Sequence, residues 1–277
     1  MPHLHSRAMR AVRGLLAALL ALPLAAVALT AQTDYYNTDA GRPISVEDAY
    51  PIERRALELQ LAPLRLERTE GLYAWGLEPE VAVGLLPRTQ VEVGFPLAWL
   101  DFGDGHSRRG LAGIEVAALH NLNVETSIPA FAIAAEVLLP GGPLGPDEPY
   151  PTVKAIATKT FPWLRFHVNG AWTFGDAPVV DDGHLAHASE LSRWMGGLAV
   201  DRVVPLESFL LTGELVARRP MAESADVAWD VAAGTRYQLD PRIALDAGAG
   251  YRLTGEENGW FVTFGAALSL GLPWRAR

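Results

Sequence analysis

Carboxylate, ammonium, guanidinium and imidazole groups alternate with apolar residues along most of this chain, as in Val91-Glu92-Val93. Such an alternation puts charged groups on one face of a β-strand and apolar side chains on the other. If the polar faces enclose a common lumen, their chemistry is electrostatic: they attract, repel or orient a polar solute. The candidates for lining that lumen are Glu58, Glu78, Glu80, Glu92, Glu115, Glu136, Lys154, Arg165, His167, Asn169, Asp230, Arg236 and Asp246.

Three of these carboxylates, Glu92, Glu115 and Glu136, fall on consecutive predicted strands. Neighbouring strands lie ~4.8 Å apart, so the three groups can form a stripe that attracts cations and repels anions. A competing interpretation pairs them across the lumen with Arg165 and Arg236, because unpaired charges in a closed lumen are costly. An aqueous path and a lumen closed by salt bridges both remain open at this point.

Two predicted loops combine imidazole with carboxylate groups. The groups are His184 and His187 with Asp181 and Asp182 in one loop, and His106 with Asp101 and Asp104 in the other. They could bind a divalent ion, but solvated loop histidines are far commoner, and we predict neither a metal site nor a cofactor. Because Cys is absent, thiol chemistry, disulfides and Cys-based metal sites are excluded.

An outer-membrane phospholipase is an alternative with catalytic chemistry. That reaction needs a Ser activated by a His on the lipid-facing side of a barrel. The strand histidines are His120 and His167, and no Ser lies beside either in a comparable motif. We therefore predict no catalytic residues and no enzyme activity.

The N-terminus has the pattern of a signal peptide. Arg7, Arg10 and Arg13 precede an apolar run, and small residues suitable for cleavage follow near Ala28 or Ala31. The alternative, a single membrane helix, needs ~20 apolar residues, which is longer than this run. We predict a signal peptide over 1–31, a periplasmic N-terminal segment over 32–53, much too short for the plug domain of an energised transporter, and a barrel over 54–277.

The charge of the mature chain is strongly negative. Removing the three leader arginines from 23 basic residues leaves 20 against 32 acidic ones, a net charge of −12. This balance excludes nucleic acid and a basic membrane anchor as partners. No other stretch approaches the length of a helical span, so membrane residence requires strands.

The alternation predicts about twelve strands, an even number, each long enough to cross a membrane when tilted. Their predicted bounds are 54–68, 71–86, 89–100, 110–121, 127–139, 152–161, 163–174, 192–203, 207–218, 226–238, 242–252 and 259–272. Short turns alternate with longer polar loops, the arrangement of periplasmic turns and extracellular loops, and a parity slip at Ala62-Pro63 predicts a bulge. A soluble sandwich also alternates, but the leader, loop lengths and tryptophans favour a transmembrane up-and-down β-barrel.

The tryptophans lie at the ends of the predicted strands, where a membrane interface places indole rings. The predicted girdle contains Trp75, Trp99, Trp163, Trp172, Trp194, Trp229, Trp260 and Trp274. The pattern predicts a monomer in the outer membrane of a Gram-negative-type envelope, with both termini periplasmic. Its expected partners are outer-membrane lipid, the barrel assembly machinery during insertion, and a small solute that the sequence does not identify.

Several stretches resemble the family of outer-membrane transporters named for the meta-pathway of phenol degradation. They are "NTDAGRPISVEDAYPIERRALELQLAPLRLER", "WGLEPEVAVGLLPRTQVEVGFPL", "YQLDPRIALDAGAG" and "WFVTFGAALSLGL". The resemblance spans most of the mature chain and implies a barrel with a transport role, for which aromatic or hydrophobic compounds are the solutes that the family name suggests. We predict a passive channel for small solutes; the alternative is a non-conducting structural or surface-interaction barrel.

Overall fold

The computed structural model describes residues 37–69, 72–101, 105–177, 191–204, 208–221, 225–254 and 258–271. The predicted signal peptide, Trp274, His184 and His187 lie outside the described residues. The described strands are β1 (Ala56–Thr69), β2 (Leu72–Leu86), β3 (Thr89–Gly94), β4 (Leu97–Asp101), β5 (Ser107–Leu111), β6 (Ile114–Asn121), β7 (Ala130–Leu139), β8 (Tyr150–Thr160), β9 (Arg165–Thr173), β10 (Ser192–Val203), β11 (Phe209–Pro220), β12 (Ala228–Asp240), β13 (Ile243–Thr254) and β14 (Gly259–Gly271). Among the described residues, no helix is long and apolar enough to span a membrane.

The strands form one closed antiparallel barrel, because β1 pairs with both β14 and β2. Strands β3 and β4 share the same edge of β2, and they pair in turn with β6 and β5. Strands β3 and β4 together occupy one position around the barrel, and β5 and β6 together occupy the next. The fourteen strands therefore make a barrel of twelve positions, which confirms the predicted all-β up-and-down fold. The interruption between β3 and β4 lies at Phe95-Pro96, where proline lacks the N–H that a ladder needs.

Side chains alternate between the lumen and the outside along each strand. In β14, Phe264 points outward and is 54% exposed, whereas the adjacent Thr263 points inward and is 3% exposed. The predicted bulge in β1 is confirmed, since the register shifts between Gln60 and Leu64 against β14 and between Leu61 and Leu64 against β2. The outer surface is therefore apolar and the lumen polar, as lipid on the outside requires.

The two ends of the barrel differ in their connections. At one end, the turn end, the connections are 87–88, 122–129, 161–164, 204–208 and 241–242. At the other, the loop end, they include 140–149 and 174–191. Since β1 begins and β14 finishes at the turn end, both ends of the barrel sequence lie there.

The sequence predicts a periplasmic N-terminal segment over 32–53; in the structure its residues 37–53, which we call the lumen segment, lie inside the barrel. They double back inside the barrel: Asp48 N donates to Thr38 O at 3.0 Å, and Thr38 N donates to the Asp48 carboxylate at 3.2 Å. Tyr50 Oη contacts Glu125 of a turn-end connection at 3.1 Å. Both ends of the lumen segment therefore lie near the turn end of the barrel.

The apolar core lies inside the barrel, between the lumen segment and the wall. One cluster combines Ile44 and Val46 of the segment with inward-facing wall residues that include Val216 and Phe261. Val46 has no exposed surface. Complete burial of a valine side chain contributes roughly 1.5–3 kcal/mol, so these contacts stabilise the inserted position of the segment.

Candidate functional site

Wall side chains supply hydrogen bonds that the irregular backbone of the lumen segment cannot make internally. One Glu214 carboxylate oxygen accepts the N–H groups of Ser45 at 2.8 Å and Val46 at 2.9 Å. The Asn169 carboxamide accepts from Glu47 N at 2.9 Å and donates to Glu47 O at 2.8 Å. The side chain of Asn169, a predicted lumen residue, thus binds the backbone of the segment.

The part of the lumen segment that precedes β1 is held in the same way. Ala49 N donates to Thr158 Oγ1 at 3.0 Å, and Asn121 Nδ2 donates to Ala49 O at 2.8 Å. Ile52 N donates to the Gln90 carboxamide oxygen at 2.7 Å. The bonded side chains come from β3, β6 and β8, whereas Glu214 and Asn169 come from β11 and β9, so the segment is bonded on several sides of the lumen.

Glycines on the wall leave the space in which the segment lies. A Cβ atom built on Gly197 would lie 2.5 Å from Val46 Cγ2, and one on Gly234 would lie 2.6 Å from Pro43 Cγ. A Cβ atom on Gly248 would lie 2.6 Å from Pro43 O. Any side chain larger than hydrogen at these positions would force the segment or the wall to shift.

Two arginines bind three carboxylates at the tip of the lumen segment. The Arg42 side chain, 1% exposed, contacts Asp39, Glu58 at 3.1 Å and Asp246 at 3.6 Å. Arg236 bonds Asp246 and lies 3.2 Å from Asp39. Burial would raise the pKa of Asp39, but the two guanidinium groups lower it below its ordinary value. The predicted lumen residues Glu58, Arg236 and Asp246 are thus brought together by the segment.

A second cluster surrounds Asp48 of the segment. Arg165 lies 3.5 Å from Asp48 and 2.8 Å from Asp201. His167, which is completely buried, contacts Asp201 at 2.8 Å through Nε2 and Thr158 at 3.0 Å through Nδ1. Burial raises the pKa of Asp48 to about 6, although Arg165 and His167 partly oppose this rise.

The Thr158–His167–Asp201 chain has the residue types of a nucleophile relay. All three side chains are buried, at 0–3% exposure, and the Thr158 hydroxyl already accepts the Ala49 amide. A substrate could not reach this hydroxyl while the lumen segment is inserted. The arrangement therefore serves to hold the segment.

The predicted stripe of carboxylates lies on β3, β6 and β7, and Glu80 extends it onto β2. Glu80 lies opposite Gly94, and Glu92 lies opposite Ala82 two residue pairs further along, so Glu80 and Glu92 are diagonal neighbours in the β2–β3 pair. Glu92 and Glu115 are diagonal neighbours in the β3–β6 pair, as are Glu115 and Glu136 in the β6–β7 pair. Diagonal neighbours are about 7–8 Å apart, so the four carboxylates form a zigzag across four strands.

The stripe ends at a lysine and is not paired with the predicted arginines. Lys154 Nζ lies 2.7 Å from Glu136 and 3.5 Å from Glu47 of the lumen segment. Arg165 and Arg236 pair instead with the clusters around Asp48 and Asp39. Among the described residues, neither arginine forms an ion pair with Glu92, Glu115 or Glu136.

Among the described residues, cavities lie on two sides of the lumen segment. One, of about 420 Å³, is lined by Asp39, Tyr50, Glu58, Arg165 and Arg236, among others. The other, of about 240 Å³, separates the segment from the carboxylate stripe. Its lining carboxylates are Glu78, Glu80, Glu92, Glu115 and Glu136 of the wall and Asp39 and Glu47 of the segment, and the Lys154 ammonium group lines it as well.

Charges near the loop end pair with each other on the wall. Asp230 contacts Arg218 at 3.1 Å and Arg252 at 3.0 Å, and Arg252 also contacts Glu67 at 3.2 Å. Asp230, a predicted lumen residue, is thus part of a network of wall side chains. In the described part of the chain no three His, Asp or Glu side chains are placed to hold a metal ion.

Most of the tryptophans predicted to form the girdle lie near the loop end. Trp75 lies opposite Trp99, and Trp172 opposite Trp194, on the outward face. Trp75, Trp99, Trp172 and Trp229 are 42–49% exposed, and Trp260 packs edge-on against Tyr73. Trp163, in a turn-end connection, is 74% exposed. Their placement in a membrane interface, where such belts of indole rings lie, stays a prediction.

Sequence reasoning did not identify Arg42 and Asp48 as site residues, because the lumen segment has no periodicity. One signal was available. Gly197, Gly234 and Gly248 all fall at inward-facing positions of their strands. A glycine in a strand interior often marks the close approach of another backbone, and several on one side of a lumen indicate that a chain lies against them.

No protein-family model matches this chain, and no curated protein matches it. Among solved structures it is similar to the COG4313 outer-membrane channel from Pseudomonas putida F1, with 11% identity, a TM-score of 0.54, and coverage of 84% of this chain and 100% of that one. The NanC porin matches with 9% identity, a TM-score of 0.49, and coverage of 77% and 100%. The KdgM porin matches with 12% identity, a TM-score of 0.46, and coverage of 78% and 99%. The first likeness supports the fold, that of an outer-membrane β-barrel.

Proposed function

We propose that this protein is an outer-membrane channel for small solutes, and that the lumen segment holds it in a closed conformation. The supporting observation is the way the segment is attached. It joins the barrel covalently just before β1, and its other contacts with the wall are hydrogen bonds, ion pairs and apolar packing. Contacts of this kind can be broken and remade without unfolding the wall.

The proposed location is the outer membrane, with both termini in the periplasm. The long connections at the loop end then face outward, and the lumen segment enters from the periplasmic side. In this orientation the 420 Å³ cavity lies toward the periplasm and the acid-lined cavity lies deeper in the barrel.

The chemistry of the lumen favours polar solutes. The resemblance to the phenol-pathway transporters suggests aromatic or hydrophobic compounds, but the inward wall carries Glu92, Glu115, Arg165, Asp230 and many other charged groups. A charged wall attracts and orients polar solutes and offers an apolar one little contact. We therefore propose a path for polar solutes, in which the carboxylate stripe gives a preference for cations.

Conductance in planar bilayers tests the proposal. The wild-type protein is compared with a variant that lacks residues 32–53 and keeps the barrel from residue 54. We expect a larger and more persistent conductance in the variant, because its lumen has lost the segment. Heat-modifiable migration of both proteins serves as the control for a folded barrel. Folded protein without conductance in either form would contradict a channel.

The second candidate is a non-conducting structural or surface-interaction barrel. The cluster of Arg42, Arg236, Asp39, Glu58 and Asp246 favours it, since a closely paired set of charges can close a lumen permanently. The same bilayer measurement separates the two candidates. If the barrel is permanently closed, the wild-type protein shows no spontaneous conductance steps, and only the variant lacking residues 32–53 conducts.

A further inference from the structure

Side chains of the wall recognise the main chain of the lumen segment. Six of their hydrogen bonds reach backbone atoms of residues 45–49, and the bonded atoms are Ser45 N, Val46 N, Glu47 N, Glu47 O, Ala49 N and Ala49 O. Every non-proline residue carries one such N–H and one C=O group, whatever its side chain. These wall groups therefore suit any peptide that follows the same course, including one that is not attached to the barrel.

Two wall pockets add a preference for particular side chains. Val46 has no exposed surface, and the wall residues of its cluster are Ala199, Val216, Ala232 and Phe261. Ala49 has no exposed surface either, and the wall residues of its cluster are Leu119, Ala130, Ala132 and Ile156. The first pocket admits a branched side chain because position 197 is glycine. The wall thus favours a branched apolar residue followed three positions later by alanine.

The width of the lumen at the segment is that of a single peptide chain. Gly234 and Gly248 lie opposite each other in the β12–β13 pair, and a Cβ atom on either would lie 2.6 Å from an atom of Pro43. Glycines in strands often mark the close approach of another backbone. A folded partner does not fit in such a space, whereas a short peptide does.

We propose that a free oligopeptide with a β-branched apolar residue three positions before an alanine takes the place of the lumen segment when the segment is released. This inference rests on the proposed channel, for which it names short peptides as a solute class. The attached segment is then an internal competitor of the solute. Because a tethered group has an effective concentration of about millimolar, a free peptide binds well only where the segment is weakened.

The test is the fluorescence anisotropy of a labelled peptide with the sequence of residues 44–50, titrated with full-length protein in detergent. The protein carries Val46→Ala, which weakens the attached segment and leaves the wall unchanged. We expect saturable binding about tenfold tighter than to the wild type, because the segment has lost apolar contacts that the peptide still makes. Equal binding by the two proteins, or no binding, would overturn the inference.

Ester bonds in the peptide test recognition of its main chain. An ester in place of the N–H at the Val46 position removes the bond to Glu214 and should weaken binding about tenfold. An ester at the Asp48 position removes an N–H that bonds Thr38 within the segment, a residue that the peptide lacks, so the affinity should change much less. Equal losses at the two positions, or no loss at Val46, would contradict main-chain recognition by the wall.

Moving one methyl group shows where the peptide lies. The Val46→Ala protein should prefer the peptide with valine over its analogue with alanine at that position. Adding Gly197→Ala should invert the preference, since the new Cβ atom would lie 2.5 Å from valine Cγ2. Comparing two peptides in one protein cancels the competition from the segment. Adding Gly196→Ala, where a Cβ atom meets nothing within 4 Å, should leave the preference unchanged. The same preference in all three proteins would place the peptide elsewhere.

Binding is measured without conductance, so the two proposals fail separately. Peptide binding by a protein that never conducts supports the site and refutes the channel, whereas conductance without peptide binding keeps the channel and refutes the site. Heat-modifiable migration shows whether each variant is folded, and the ester series decides even if Gly197→Ala does not fold. The same sequence fused to a folded carrier domain should bind more weakly than the free peptide. Tighter binding of the fusion would indicate the tail of a partner protein and overturn the solute class.

Discussion

Adding one methyl group at Gly197 should release the lumen segment. Gly197 faces the lumen, and a Cβ atom there would lie 2.5 Å from Cγ2 of the fully buried Val46. Contacts under 3.0 Å force a shift, and the other neighbours of this position, Val216 Cγ2 at 3.4 Å and Met195 Sδ at 3.6 Å, are at ordinary distances. The strain of Gly197→Ala therefore falls on the contact between segment and wall.

The magnitude follows from the cost of overpacking, which is typically about 1–3 kcal/mol. Applied to the equilibrium between inserted and released segment, this cost shifts the ratio roughly 5- to 150-fold toward release. Single-channel recording should show the change as a higher fraction of time in the conducting state. Limited proteolysis should show faster cleavage within residues 37–53.

The chain offers a matched control one residue away. Gly196 lies on the same strand but on the outward face, and a Cβ atom there would meet nothing within 4 Å. Gly196→Ala should behave as the wild type. Val46→Ala removes the atom that clashes, so adding it to Gly197→Ala should restore part of the insertion. Identical recordings for the two glycine variants would refute the view that close packing at Gly197 holds the segment.

Three further predictions concern pH, selectivity and orientation. Burial raises the pKa of Asp48 to about 6 in the inserted segment, against an ordinary value of 3.8, so the inserted form binds the proton more tightly and insertion strengthens as pH falls through 6 toward 4. Conductance should therefore decrease between pH 7 and pH 5, and Asp48→Asn should flatten this dependence; a wild-type conductance that rises on acidification would contradict the sign. The double variant Glu92→Gln with Glu115→Gln should weaken cation preference, measured as a reversal potential under a salt gradient, and an unchanged potential would make the stripe purely structural. Tags inserted in 140–151 should be reached by surface label on intact cells, whereas labelling at Asp240 would show that the barrel has the opposite orientation.

The sequence by itself determined the wall of this barrel. Period-two alternation follows directly from strand geometry with lipid on one side and a polar lumen on the other. For this reason the strand positions, the bulge at Ala62-Pro63 and the inward direction of Glu92 and Glu115 could be predicted. The interruption at Pro96 was missed, although proline in a run of alternating residues is a local signal for a break in the ladder.

Only the tertiary structure decided what lies inside the lumen. The lumen segment is irregular, and its partners are far away in the sequence: Ser45 bonds Glu214, 169 residues on, and Pro43 accepts from Thr263, 220 residues on. No local pattern encodes such pairs. The closed ring of strands brings together groups from opposite ends of the chain, and the inward glycines leave the space in which the segment binds.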